Sequence, residues 1–208
     1  MGFLTPGSQW FGTPSFDVKF DPEAAKKLLA EAGFSTAKPV TAKVLISSSG
    51  SGQMLPLPMN EYIQQNLADV GIKIDFEVAE WNTLINLWRA GAKSDLAKGA
   101  SALNFSYFIQ DPFTAFIRHL DSKLVAPNGT NWGFYQDPGM DALLEKARTT
   151  FDPKAQDEAL KKVHEKIVDD ALFLFVTHDV APRAMSPKVT GFVQAQNWFQ
   201  DFSPITMK

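Results

Sequence analysis

The chain has 208 residues, 45% hydrophobic and 21% charged, with a net charge of −3 and no cysteine. Those values belong to a folded globular protein and exclude disorder, disulfides, thiolate metal sites and cysteine nucleophiles. The absence of a broad basic balance makes nucleic acid and anionic membrane poor partners.

No run of about 18 apolar residues is present to span a bilayer. The start, Met1-Gly2-Phe3-Leu4-Thr5-Pro6, lacks the basic and apolar stretches of a signal peptide. Residues 1–20 mix Gly, Pro and Ser with aromatics at no period and read as a connecting segment. Asp21-Pro22 then opens a helix, because Asp caps free N–H groups and Pro loses nothing at the first helical position. Its stripe is Ala25, Leu28, Leu29 and Ala32, stopped by Gly33. Val44 to Ile46 suits a buried strand, and Ile63, Leu67 and Val70 mark a helix before Gly71.

Ile72, Ile74, Phe76 and Val78 alternate with polar neighbours and read as a half-buried strand. Trp81, Leu84, Ile85 and Trp88 return to helical spacing and end near Gly91. Residues 100–107 are a weaker strand. Asp-Pro recurs at Asp111-Pro112, Asp137-Pro138 and Asp152-Pro153, each followed by an apolar stripe of helical period. Leu172 to Val176 reads as another buried strand. The alternation of strand and helix predicts an α/β lobe with a mixed, partly parallel sheet flanked by helices. The last residues, 186–208, hold Phe192, Trp198, Phe199 and Phe202 among Pro and Gly, an apolar tail that needs a surface to lie on.

Chemistry is sparse. His119, His164 and His178 stand apart, and no zinc, phosphate-loop or nucleophile-elbow motif occurs, so no metal, cofactor or catalytic residue is assigned. His164 falls on a helix face as a packed or surface histidine, and His178 lies where it can line a cleft. Asp157, Glu158 and Glu165 read as a solvated face balanced by Lys154, Lys161 and Lys162. A hydrolase built on Ser51 and His178 is the remote enzymatic rival. The stronger signal is aromatic. Asn104-Phe105-Ser106-Tyr107-Phe108-Ile109-Gln110 runs from a strand end into a capped helix, where open α/β sheets place ligands. Asn131-Trp132 sits in a loop before another. Trp81, Phe105, Phe108 and Trp132 as a wall, with Asn104, Gln110 and Asn131 as polar helpers, form the expected ligand site.

The segment Phe20-Asp21-Pro22-Glu23-Ala24-Ala25-Lys26-Lys27-Leu28-Leu29-Ala30-Glu31-Ala32-Gly33-Phe34 closely resembles the YDPEKAKKLLAEAGY signature of the family 5 solute-binding proteins, receptors of ABC importers. Tyr62 to Ile74, Trp81 to Gly91, Phe105 to Pro112 and Tyr135 to Ala147 match further family segments in order. The resemblance implies one lobe of a two-lobed periplasmic-binding-protein fold: a connecting segment 1–20 from a missing first lobe, a binding lobe 21–185, and a tail 186–208 that packs on that first lobe. It implies a periplasmic protein, hinge closure on a small-molecule or peptide-like ligand, and an ABC permease of the inner membrane as partner. A binding domain that presents its ligand to a membrane sensor is the alternative. The resemblance also places Trp81 near the cleft and matches Asn104 and Phe105 to a glycine–tryptophan pair that contacts bound peptide. Phe108 stands where peptide-binding members carry the aspartate that pairs with a free amine, and phenylalanine makes no such bond.

Overall fold

The computed structural model describes residues 2–49, 55–107, 109, 111–178, 182–195 and 199–208. In chain order these form α1 (Pro22–Glu31), β1 (Val40–Ser47), α2 (Pro56–Ala68), β2 (Ile72–Ala79), α3 (Trp81–Ala90) and β3 (Ala102–Leu103). A π-helical turn (Phe113–Ile117) leads into α4 (Arg118–Leu120), followed by α5 (Pro138–Thr149), α6 (Pro153–Asp169), β4 (Val189–Thr190) and β5 (Thr206–Met207).

The Asp-Pro starts behave as their chemistry requires. Asp21, Asp137 and Asp152 each accept a hydrogen bond from the N–H three residues on, at 3.0, 2.6 and 2.9 Å. Asp111 accepts from Phe113 and Thr114 at 2.8 and 3.0 Å and so opens the π turn. A cap of this kind contributes about 1 kcal/mol. The stripe of α1 is a different matter. No residue of α1 is buried, and Leu28 is 66% exposed.

The sheet is ordered β2-β1-β3 and all its pairings are parallel; β4 and β5 form a separate antiparallel pair. β1 and β2 run in register from Val40↔Ile72 to Ser47↔Ala79. Residues 100–107 yield only the two-residue β3, at Val44↔Ala102 and Leu45↔Leu103. From central β1 the chain goes to β2 on one side and then to β3 on the other, so the sheet's switch point lies at the carboxyl ends of β1 and β3.

Leu172 to Val176 does not form the expected strand. It bends at Phe173 and joins no ladder among the described residues; Phe173 and Phe175 pack on a helical core while Leu174 is 67% exposed. That core joins Phe116, Leu120, Met140, Leu144, Leu160, Val163 and Ile167. A second, smaller core joins Leu45, Leu84, Leu87 and Ala100 between β1 and α3.

The aperiodic start is docked onto α6. Leu4 is buried, and Phe3, Trp10 and Phe11 pack on the helical core. Trp10 Nε1 donates to Asp157 at 2.8 Å, and the backbone N–H groups of Thr13 and Ser15 donate to Glu165 and Asp169 at 2.9 and 2.7 Å. Asp157 and Glu165 are therefore acceptors for this strap and not merely a solvated face, although Glu158–Lys161 and Glu165–Lys162 do pair as the charge pattern suggests. His164 is fully buried beneath the strap.

At the far end the tail doubles back through β4 and β5. Gly191, at φ +77°, is required there, since a Cβ would sit 2.0 Å from the Pro204 carbonyl oxygen. Phe199 and Phe202 are 61% and 72% exposed, while Trp198 lies outside the described residues. Contiguous apolar surface of this kind drives association. The isolated chain should therefore self-associate in sedimentation velocity, and a Phe199→Ser/Phe202→Ser double variant should shift it toward monomer. A monomer of constant sedimentation coefficient over about a hundredfold range of concentration would contradict this.

Candidate functional site

The aromatic wall starts with α3. Glu80 caps that helix, its carboxylate accepting from the N–H groups of Asn82 and Thr83 at 2.8 and 3.3 Å. Helical spacing puts Trp81, Leu84 and Trp88 on one face, turned toward β1 and β3. Phe105 follows β3 directly and stacks on both indoles, with centroids 5.1 Å from Trp81 and 4.9 Å from Trp88. Tyr107 continues the pile 5.2 Å from Phe105, and His119 lies 4.2 Å beyond it. Trp132 packs against the same small core as Trp81 and Phe105. The Arg118 guanidinium covers Trp88 at 5.1 Å. Each such ring pair adds about 0.5–1.5 kcal/mol beyond its buried area, which makes this a rigid wall.

Its polar members divide into two kinds. Asn104 Nδ2 donates to Asn60 Oδ1 at 2.7 Å, and Asn60 Nδ2 donates to the Pro56 carbonyl at 2.8 Å. Asn60, buried on α2, is absent from the residues expected of the site. The signal for it was present: Asn60 is a polar residue at the i, i+3, i+7 positions shared with Ile63 and Leu67. Asn131 is only 1% exposed, and its amide holds a loop together. Its Nδ2 donates to the Tyr135 and Asp121 carbonyls at 2.7 and 3.3 Å, and its Oδ1 accepts from Tyr135 N–H at 3.1 Å.

A cleft of about 2010 Å³ opens in front of this wall. Asn104, Phe105, Asn131 and Trp132 line it together; Trp81 lies behind Phe105 and is not part of the lining. Phe108 and Gln110 lie outside the described residues. One flank is the sheet and α2; the other is the N-terminal strap and the segment Leu172 to His178. His178 does line the cleft, with Nε2–H donating to the Gly2 carbonyl at 3.1 Å, while Ser51 of the hydrolase reading is outside the described residues.

The cleft is nearly free of charge. Among its described lining residues there is no Asp, Glu or Lys, and Arg183 is the charged side chain. Burial pushes His119 down to about 3, helped by the neighbouring Arg118 charge, so its ring is neutral at physiological pH. Burial likewise raises Tyr107 above the ordinary tyrosine range. Neither His119 nitrogen, nor Nε1 of Trp88 or Trp132, makes an aligned hydrogen bond to a described residue.

Residues 1–123 match the model of the bacterial extracellular solute-binding proteins, family 5 Middle. The chain belongs to that family. It is a family of binding proteins and not of enzymes. The chain is 26% identical over 170 residues to the periplasmic oligopeptide-binding protein OppA of Salmonella typhimurium, covering 82% of this chain and 29% of that protein. It is 31% identical over 156 residues to di/tripeptide-binding protein 4 of Pseudomonas aeruginosa, covering 72% of this chain and 27% of that one. The fold matches the dipeptide-binding protein of Pseudoalteromonas sp. SM9913, solved with Met-Leu, at a TM-score of 0.77 and 23% identity. That match takes in 100% of this chain and 39% of the solved one. The family 5 chain described here thus spans about a third of the length of such curated relatives, and its α/β architecture is that of the periplasmic-binding-protein fold.

Asn131 provides the test of this loop. Asn131→Ala deletes its hydrogen bonds and leaves buried backbone groups unpaired, at a cost of about 2–4 kcal/mol in urea unfolding. A loss below about 0.5 kcal/mol would show that the amide is not what holds Trp132 in place.

Proposed function

We propose that this chain is the ligand-gripping lobe of the substrate-binding component of an ABC importer, working outside the cytoplasm. It captures a small organic, peptide or peptide-like solute in a cleft closed by a second lobe of the same polypeptide. The observation that carries the reading is the stacked aromatic wall at the sheet's switch point, whose Phe105, Tyr107 and Trp132 face an open cleft while Trp81 and Trp88 stack on Phe105 out of the lining. Aromatic faces supply contact area, the Asn60–Asn104 amide pair supplies orientation, and hinged closure removes water from both. No covalent step is needed. Asn131 serves the site by positioning the Trp132 loop.

The ligand's charge follows from the lining. An ion pair with a peptide's free amine requires a carboxylate, and the described lining of this lobe offers none. Phe108, in the sequence position where peptide-binding members carry that aspartate, brings a ring in place of an acid. The portion of ligand that meets this lobe is therefore uncharged or anionic, with an apolar or aromatic body.

Isothermal titration of the full-length receptor with a dipeptide and its N-acetylated counterpart tests the reading. The blocked form should bind at least about as tightly as the free one, and Phe105→Ala should weaken it by about 10- to 100-fold. Tight binding of the free-amine dipeptide, lost on N-acetylation and indifferent to Phe105→Ala, would overturn it. Native mass spectrometry of the receptor purified from its host would weigh the natural ligand.

A further inference from the structure

Among the attachments of the cleft's second flank is one buried imidazole. His164, in the middle of α6, faces the N-terminal strap with both ring nitrogens. Nε2 accepts the Leu4 N–H at 3.0 Å, and Nδ1–H donates to the Phe11 carbonyl at 2.6 Å. A donor on one side and an acceptor on the other admit one form of the ring, the neutral Nδ1–H tautomer. The packing is close. The Phe11 ring lies 4.8 Å from the imidazole, and a Cβ on Gly2 would come within 2.8 Å of its Cε1 and Nε2.

Among the described residues, two charged or titratable groups bear on it. Glu165 on α6 favours the charged ring; His178, from the segment after α6, opposes it, and the Phe11 carbonyl accepts from it. The Glu165 carboxylate is already engaged by Thr13 and Lys162. His178 shares the same strap through Gly2 O. Protonating Nε2 of His164 would set an N–H against the Leu4 N–H and leave a cation in a dry core, so the bond that holds the strap turns into a repulsion.

We propose that His164 is a positioning residue for this flank and a proton-operated latch: as pH falls, it releases residues 2–11 and with them one wall of the cleft. Residues Gly2 to Trp10 and Leu172 to His178 line the cleft side by side, so freeing the first removes the support of the second. Burial holds the His164 ring below the ordinary histidine range. The latch is therefore whole above about pH 6.5, where a free histidine is neutral, and is lost as pH drops through that range toward the lower folded value. This holds whether or not the cleft takes a solute, so its failure is separate from that of the binding reading.

Amide exchange of the 208-residue chain, corrected for intrinsic rates, is the measurement, with ring signals of labelled histidine followed in the same samples. Protection at Leu4 and Phe11 to Thr13 should fall at least about tenfold between pH 7.5 and 5.0 while α5 keeps its protection. The fall should track protonation of the His164 ring. His164→Gln, which cannot be protonated, should give a pH-independent strap. Flat Leu4 protection while His164 titrates, or a release unchanged in His164→Gln, would overturn the latch. Should His164→Gln not fold, the wild-type midpoints decide: coincidence supports the proposal, and separation by more than about one pH unit refutes it.

Discussion

The ladder between β1 and β3 stops after two residues, and the site exists because it stops there. Asn104 makes one further backbone bond, its N–H to the Leu45 carbonyl at 2.9 Å, and the chain then leaves the sheet. Had β3 matched the eight-residue register of β2, residues 104–107 would stay in the ladder, with Phe105 and Tyr107 on one strand face and Asn104 and Ser106 on the other. Released from the ladder, both rings join one pile with Trp81 and Trp88. The parallel crossover through α3 makes this work, since the helix that returns the chain to the sheet also carries the indoles to its carboxyl end.

What could be read from the residues alone follows the range of the forces involved. The Asp-Pro helices were legible because a cap and the N–H that donates to it lie within three residues. β2 was legible because one buried face imposes a period of two. Leu172 to Val176 was misread because an apolar run records burial without recording the partner, and here the partner is a helical core and not a strand. Asp157, Glu165 and His164 escaped for a related reason. Their partners Trp10, Thr13, Leu4 and Phe11 are about 150 residues away in sequence, and surface charge and strap acceptor look alike until those ends meet. Within the site, Trp132 and Phe105 announced themselves by type, whereas Asn60 shows its use only through Asn104.

The family resemblance and the bottom-up reading carry different parts of the account. The signature at residues 20–34 identifies the fold, yet the helix it forms buries none of its own residues and does not touch the aromatic wall. A segment can be diagnostic of a family without being part of its binding surface. The aromatic wall, in contrast, lines the cleft. Its described lining holds rings, a neutral histidine and no carboxylate.

Two cores, one on each side of the cleft, divide the mechanical tasks. The β1–α3 core is held by a parallel ladder and stacked rings, neither of which responds to protons or salt, so the wall keeps its shape. The flank opposite is attached by side-chain acceptors on α6 and by one imidazole, all polar, several near the surface. Bonds of that kind are individually worth about 1 kcal/mol and open more readily than a packed core. The cleft, at about 2010 Å³, is also larger than the roughly 300–1,000 Å³ of a usual small-ligand pocket. Rigidity is thus concentrated in the aromatic wall, and compliance in the strap opposite it.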